Sequence, residues 1–287
     1  MLLGKSIHHV NQDEGKIFSK DLVRGYYNNL TEKVTRGGDY DVPMSFVDTG
    51  EEIYFSIEIF QYGLGAYDLY LLSEKKDDAM LRKAVACAEW AIKNQQKDGA
   101  WVTFAYETPD YPYSAMAQGE AVSLLLRVYQ ETKDEKNLDA VKKAMEFMLL
   151  SFEDGGPTKY EGNDVYLYEC PKDPLILNGW IFSLWGLMDY CKMVDDAMAK
   201  EVLKRTLATL EKRLPDFNLR YWSMYEEGKR ISSPFYHKLH VAQLNVLYDL
   251  TGKEVYKIYA DKWHKYDKNW LFRILAFIKK ACQKVLE

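Results

Sequence analysis

The chain has 287 residues, 47% of them hydrophobic and 28% charged, with 38 basic against 43 acidic side chains and a formal net charge of −5, the composition of a soluble globular protein with a large core. Its apolar runs stop far short of the about 18 residues that a membrane span needs, so no span is expected. The acidic balance lacks the basic footprint of nucleic-acid binders and makes nucleic acid an unexpected partner.

Residues 1–50 contain Gly37, Gly38, Pro43 and Gly50 with little periodicity, which predicts an extended N-terminal arm with a short hairpin; His8 and His9 read as terminal residues without a site. The arm carries no long apolar stretch of the secretory type, so a cytoplasmic location is expected, or a secreted or periplasmic one if a leader has been removed. From about residue 58 onward the apolar spacing is helical, and residues 51–287 are expected as one domain.

Four segments of that domain share one plan. An apolar helix ends in a tyrosine, at Tyr70, Tyr129, Tyr190 and Tyr248, about 60 residues apart, and a charged turn then leads into a second, amphipathic helix. Each hairpin alone would expose an apolar face, so the hairpins must stack and curl. The expected fold is all-α, an incomplete (α/α) toroid of about four hairpins. The segment KNWLFRILAFIKKACQKVLE reads as an amphipathic capping helix in preference to a membrane anchor, and its amphipathicity leaves room for a homodimer.

Loops between helices are where such a fold would carry its chemistry, and these loops are long and aromatic: WVTFAYETPDYPYSAMAQGE, KYEGNDVYLYECPKDPLILNG and RYWSMYEEGKRISSPFYHKLH. Aromatic faces mixed with hydrogen-bonding groups suit pyranose rings, and equally suit loop packing. Cys87, Cys170, Cys191 and Cys282 lie far apart without a CxxC pair and read as reduced thiols. His237 and His240 fall on one helical face, but spacing supplies no third ligand, so no metal site is expected. GLGAYD lacks the glycine pattern of a dinucleotide loop, and Ser114 lacks a nucleophile elbow.

Six ordered stretches, FQYGLGAYDLYL (60–71), EWAIKNQQKDGAW (89–101), YSAMAQGEAVSLLLRVY (113–129), YECP (168–171), LNGWIFSLWGLMDY (177–190) and SPFYHKLHVAQL (233–244), resemble the carboxy-terminal region of the D-glucuronyl C5-epimerase family. The resemblance implies inversion of C5 of glucuronate within a heparan- or heparosan-type polymer, giving iduronate without a cofactor. It implies catalytic roles for Glu169, Tyr225 and Tyr236. Gln61, Tyr62, Trp101, Tyr113, Gln118, Cys170, Asn178, Arg230, His237, Lys238 and His240 are carried along as substrate-binding positions, although the QKDGAW turn also suits Trp101 to packing between repeats. Two departures stand out. Cys170 replaces a family tyrosine, and the family's arginine after the first tyrosine falls on Gly228, with Lys229 and Arg230 following.

The chemistry sets its own requirements. Removing the proton alpha to a uronate carboxylate builds a dianionic enolate, which needs cations or strong donors, and Lys238, Arg230, Lys229 and His237 are the candidates. Inversion needs proton-transfer groups on both ring faces; Glu169 and Tyr236 are expected in opposed positions, with Tyr225 sharing the proton. Three other readings stay open: a polysaccharide lyase, which would expel the C4 oxygen from the same enolate, a glycoside hydrolase using a pair among Glu107, Asp110, Glu120 and Glu169, and a non-catalytic glycan-binding protein.

Overall fold

The computed structural model describes residues 10, 12–19, 22–36, 38, 40–46, 50–74 and 77–286. After a short helix α1 (Thr31–Arg36) come four helical hairpins: α2 (Ser56–Leu72) with α3 (Asp78–Asn94), α4 (Ala115–Thr132) with α5 (Glu135–Met148), α6 (Leu177–Met193) with α7 (Ala197–Arg213), and α8 (Pro234–Thr251) with α9 (Glu254–Lys268). Helix α10 (Trp270–Leu286) closes the described chain. The fold is all-α, as expected. Among the described residues, strands occur as three two-stranded antiparallel ribbons: β1 (Ser45–Phe46) with β2 (Glu52–Ile53), β3 (Thr158–Glu161) with β4 (Asp164–Leu167), and β5 (Asn218–Leu219) with β6 (Trp222–Ser223).

The two helices of a hairpin differ because their sequences do. α2, α4 and α6 are apolar or small around most of their circumference and are buried accordingly, whereas α5 buries a stripe built on Ala140, Val141, Ala144, Met145 and Met148. The first helices pack in sequence order, α2 on α4, α4 on α6 and α6 on α8. At the α4–α6 crossing the backbones nearly touch. A Cβ on Gly119 would lie 2.7 Å from Ser183 Cα, and one on Gly186 would lie 2.2 Å from the Gly119 carbonyl. Second helices start where the charged turns supply a cap: Asp77, Asp134 and Asp196 accept from backbone amides at the heads of α3, α5 and α7. The fourth turn has Lys253 there and makes no side-chain cap.

The N-terminal segment, expected as an extended arm, is more integrated than its composition suggests. It holds α1 and strand β1, which pairs with β2 just beyond it as the expected short hairpin, and Val23, Tyr26, Tyr27, Leu30 and Val34 belong to the main core. α1 is too short to show helical periodicity. His8 and His9 lie outside the described residues. Near the C-terminal halves of α4 and α6, Asp189 accepts from Arg127 Nη1 at 2.6 Å, from Ser123 Oγ at 2.7 Å and from Tyr27 Oη at 2.5 Å, while Arg127 also donates to the Gly25 carbonyl. Both members of the ion pair are fully buried. Asp189→Ala would strand the guanidinium without its counter-charge, and urea unfolding should show a loss of about 3–5 kcal/mol; a loss within measurement error would remove this pair from the account of how the segment is held.

Candidate active site

The N-terminal ends of α2, α4, α6 and α8 and the loops before them surround a cleft made of two adjoining cavities of about 290 Å³ and 360 Å³. Glu169, Tyr236 and Phe104 line both and stand at their junction. First-turn residues of all four helices line the first cavity, which makes its backbone field favourable to an anion.

Local structure brings the candidate catalytic groups there. Glu169 follows strand β4, whose exit is tied to α4 by the Ala115 amide donating to the Tyr168 carbonyl at 3.0 Å. Tyr225 sits in a tight β-turn loop after β6. There its amide donates to the Arg230 carbonyl, and its carbonyl accepts from the Leu177 amide at the head of α6. Gly228, at φ +70°, makes the turn and returns Arg230 beside Tyr225, with the guanidinium 5.5 Å from the phenol centroid. Tyr236 is on the first turn of α8, behind Pro234 and the capping Ser233. The rings of Tyr225 and Tyr236 have centroids 4.6 Å apart.

Burial pushes the Glu169 carboxyl up to about 7; Asp173 and Glu107 add to the shift and Arg230 opposes it. Its Oε2 is buried and has no hydrogen-bond partner among the described residues. The phenol of Tyr236 is raised above its ordinary range by burial and then by Glu169, against a hydrogen bond donated by Tyr225 and the charge of Arg230. Tyr225 is raised by the same burial and by the same carboxyl. A carboxyl that titrates near neutrality thus faces two phenols held in their protonated form. Arg230 itself is held by Glu226, whose Oε2 accepts from its Nε at 2.8 Å and its Nη2 at 2.6 Å.

Gly179, the third residue of α6, makes room for the carboxylate: a Cβ there would lie 2.2 Å from Glu169 Oε2 and 2.8 Å from Glu169 Cβ. Gly179→Ala should therefore displace Glu169 while leaving the helix intact. The expected result is a turnover loss of about 10²-fold, the scale for misplacing a reacting group by about 1 Å, with an unchanged far-ultraviolet spectrum; full turnover would show that the carboxyl has another place to sit.

The remaining candidates divide. Gln61 and Asn178 line the first cavity, and Cys170 and Arg230 line the second. The others do not line either cavity. Tyr62 is buried with its hydroxyl on the Tyr40 carbonyl, and Tyr113 donates to Gln96. Trp101 donates to the Ala91 carbonyl from within the core, as the packing role implied, and Gln118 ties Gly99 to Ala144. His237 is buried, stacked on Trp222 at 3.7 Å with Nε2 at 3.0 Å from the Trp263 carbonyl; burial lowers its imidazole to about 4 and that of His240 to about 3. Neither can serve as the expected cation. Lys238 and Lys229 are exposed and line neither cavity. Tyr236 and its two followers diverge because helical neighbours are turned by about 100° per residue.

Several residues of the cleft and its surroundings lie outside the expected catalytic and substrate-binding positions. Lys33, on α1, enters the first cavity and pairs with Glu58 at 2.6 Å; Lys280, on α10, enters the second. Phe55, Phe104, Tyr106 and Phe235 give the first cavity its aromatic walls. Behind Gln61 lies buried Glu120, whose Oε1 accepts from Gln61 Nε2 at 2.7 Å. Among the described residues no group of three or more His, Cys, Asp or Glu side chains is arranged to hold a metal ion.

The described residues thus form an all-α hairpin array whose cleft gathers the carboxyl of Glu169 and the phenols of Tyr225 and Tyr236. Residues 95–265 match the family model described as D-glucuronyl C5-epimerase C-terminus. The match covers more than half of the chain, and the chain belongs to that family. It is similar to the D-glucuronyl C5-epimerase of Caenorhabditis elegans, with 27% identity over 210 residues that make up 63% of this chain and 34% of that protein. It is also similar to an uncharacterized protein of Methanocaldococcus jannaschii, with 24% identity over 279 residues covering 87% of this chain and 90% of the relative. The chain thus spans about a third of the length of the animal protein and most of the archaeal one.

Proposed function

We propose that the cleft is the active site of a carbohydrate epimerase that inverts C5 of D-glucuronate residues in an anionic polysaccharide to L-iduronate. The observation that carries this reading is the Glu169 carboxyl, raised to about 7 with a buried Oε2 that has no hydrogen-bond partner among the described residues, standing with Tyr236 at the junction of the two cavities, and Tyr225 packed beside Tyr236. The hairpin array is proposed to curl as an incomplete (α/α) toroid around this cleft.

In the forward direction Glu169, ionised, takes the proton from C5. The electron pair moves into the C6 carboxylate and leaves a dianionic enolate, which the helix N-termini and Arg230 stabilise. Tyr236 then gives its hydroxyl proton to the opposite face of C5, and the hydrogen bond from Tyr225 supports the phenolate that forms. The high proton affinity of Tyr236 favours its reprotonation from solvent, and Glu169 returns its proton, which closes the cycle. An enolate held without expelling the C4 oxygen gives epimerisation; expulsion would give a lyase.

The test is proton NMR of heparosan incubated with the protein in deuterated water. Deuterium at C5 with iduronate signals is the expected result. Ultraviolet absorbance from an unsaturated uronate, new reducing ends, or binding without C5 exchange would each replace the epimerase reading with a lyase, a hydrolase or a binding protein.

Substrate recognition also has a local prediction. Arg230 stands beside Tyr225 and lines the second cavity, so Arg230→Gln should raise KM and lower kcat, together about 10²-fold in kcat/KM, and Arg230→Lys should recover only part of that loss because a lysine cannot reproduce the planar contact with Glu226. Steady-state kinetics on a glucuronate polymer measure both. Equal activity of the two variants would place the substrate carboxylate elsewhere.

A further inference from the structure

Helix α10 is docked with its apolar side outward. Phe272 and Ala276 face the body, where Phe272 packs on Tyr221 and Tyr266, and Gln283 bonds to the Ile231 amide and the Lys229 carbonyl. At about 100° per residue, Leu271, Ile274, Leu275, Phe277, Ile278 and Val285 fall within an arc of about 160° on the opposite side. All six are exposed, Val285 at 85%, and Trp270 at the head of the helix is 67% exposed.

The charges on this helix say what fits that face. Residues 270–286 contain Arg273, Lys279, Lys280 and Lys284 and no acidic side chain, in a chain whose net charge is −5. Arg273, Lys280 and Lys284 edge the apolar arc on one side and Lys279 edges it on the other. Arg273 approaches Asp267 at 4.0 Å. An apolar stripe flanked by cations, with tryptophan at its end, is the pattern of a helix that lies in a bilayer interface. Pairing with a second copy would set cationic flank against cationic flank, so charge disfavours it. No helix is long and apolar enough to cross a membrane, so the helix would lie along the surface.

We propose that α10 docks the protein onto an anionic lipid surface, with its apolar face in the headgroup region and Arg273, Lys279 and Lys284 on acidic headgroups. Because Lys280 also lines the second cavity and Gln283 holds the loop that carries Arg230, docking places the cleft beside the membrane. The proposal stands apart from the reaction assigned to the cleft.

Flotation of the full chain with phosphatidylglycerol–phosphatidylcholine vesicles, against pure phosphatidylcholine, tests it. Binding to the acidic vesicles, weakened by salt, is expected. Arg273→Gln and Lys284→Gln should each weaken it about fivefold, and the Ile274→Glu, Ile278→Glu double variant should abolish it with no change in melting temperature. Absence of flotation at low salt would overturn the proposal. So would flotation unaffected by the double variant, or a dimer in light scattering that the double variant dissociates and that does not bind vesicles; that last outcome would assign the face to a second copy.

Discussion

Glu169→Gln should stop exchange of the C5 hydrogen when the substrate is glucuronate, with turnover down by about 10²–10⁴-fold, the range for removing a positioned base. The amide has the shape of the carboxyl but cannot accept a proton, so the cleft keeps its packing against Gly179 and loses the group that starts the reaction. The same assignment sets a pH dependence. A carboxyl with pKa about 7 in the free protein is an active base only above that value, so forward kcat/KM should fall tenfold per pH unit below it and level off above it. A forward rate that falls as the pH rises through the same point would give Glu169 the role of acid.

Tyr236→Phe should separate the two proton transfers. Removing the hydroxyl takes away the donor on the second face, so iduronate formation should drop by about 10²–10⁴-fold. Exchange at C5 should persist with retention, because Glu169 can still remove the proton and return deuterium to the same face. The fold should lose about 1–3 kcal/mol, the cost of leaving the buried Tyr225 hydroxyl without its acceptor. NMR of the recovered polymer reads both results together. Loss of exchange along with inversion would mean that the tyrosine acts first.

Much of this was readable in the residues. The four tyrosine anchors and the charged turns mark the hairpins because Asp77, Asp134 and Asp196 are both the polar breaks and the caps of the following helices. Glu169, Tyr225 and Tyr236 were picked out by a resemblance and share a cleft. What escaped was whatever tertiary contact alone defines. Lys33 and Lys280 reach the cavities from the two ends of the chain, and neither lies in a motif. The β3–β4 ribbon is too short to show alternation. Arg230, out of register with the family's arginine, regains the cleft because a turn at Gly228 folds it back on Tyr225. His237 and Lys238 follow Tyr236 in sequence and are expected as cations, and His240 as a substrate-binding position, yet helical rotation aims the histidines into the Trp222–Trp263 packing and the lysine to solvent.

In the proposed reaction one uronate ring lies between Glu169 and Tyr236. A crystal structure of the E169Q variant with a heparosan oligosaccharide tests it most directly. C5 is expected between the side chain at position 169 and the Tyr236 hydroxyl, one on each face, with the sugar carboxylate toward Arg230. A sugar bound with both groups on one face, or bound away from their junction, would contradict it.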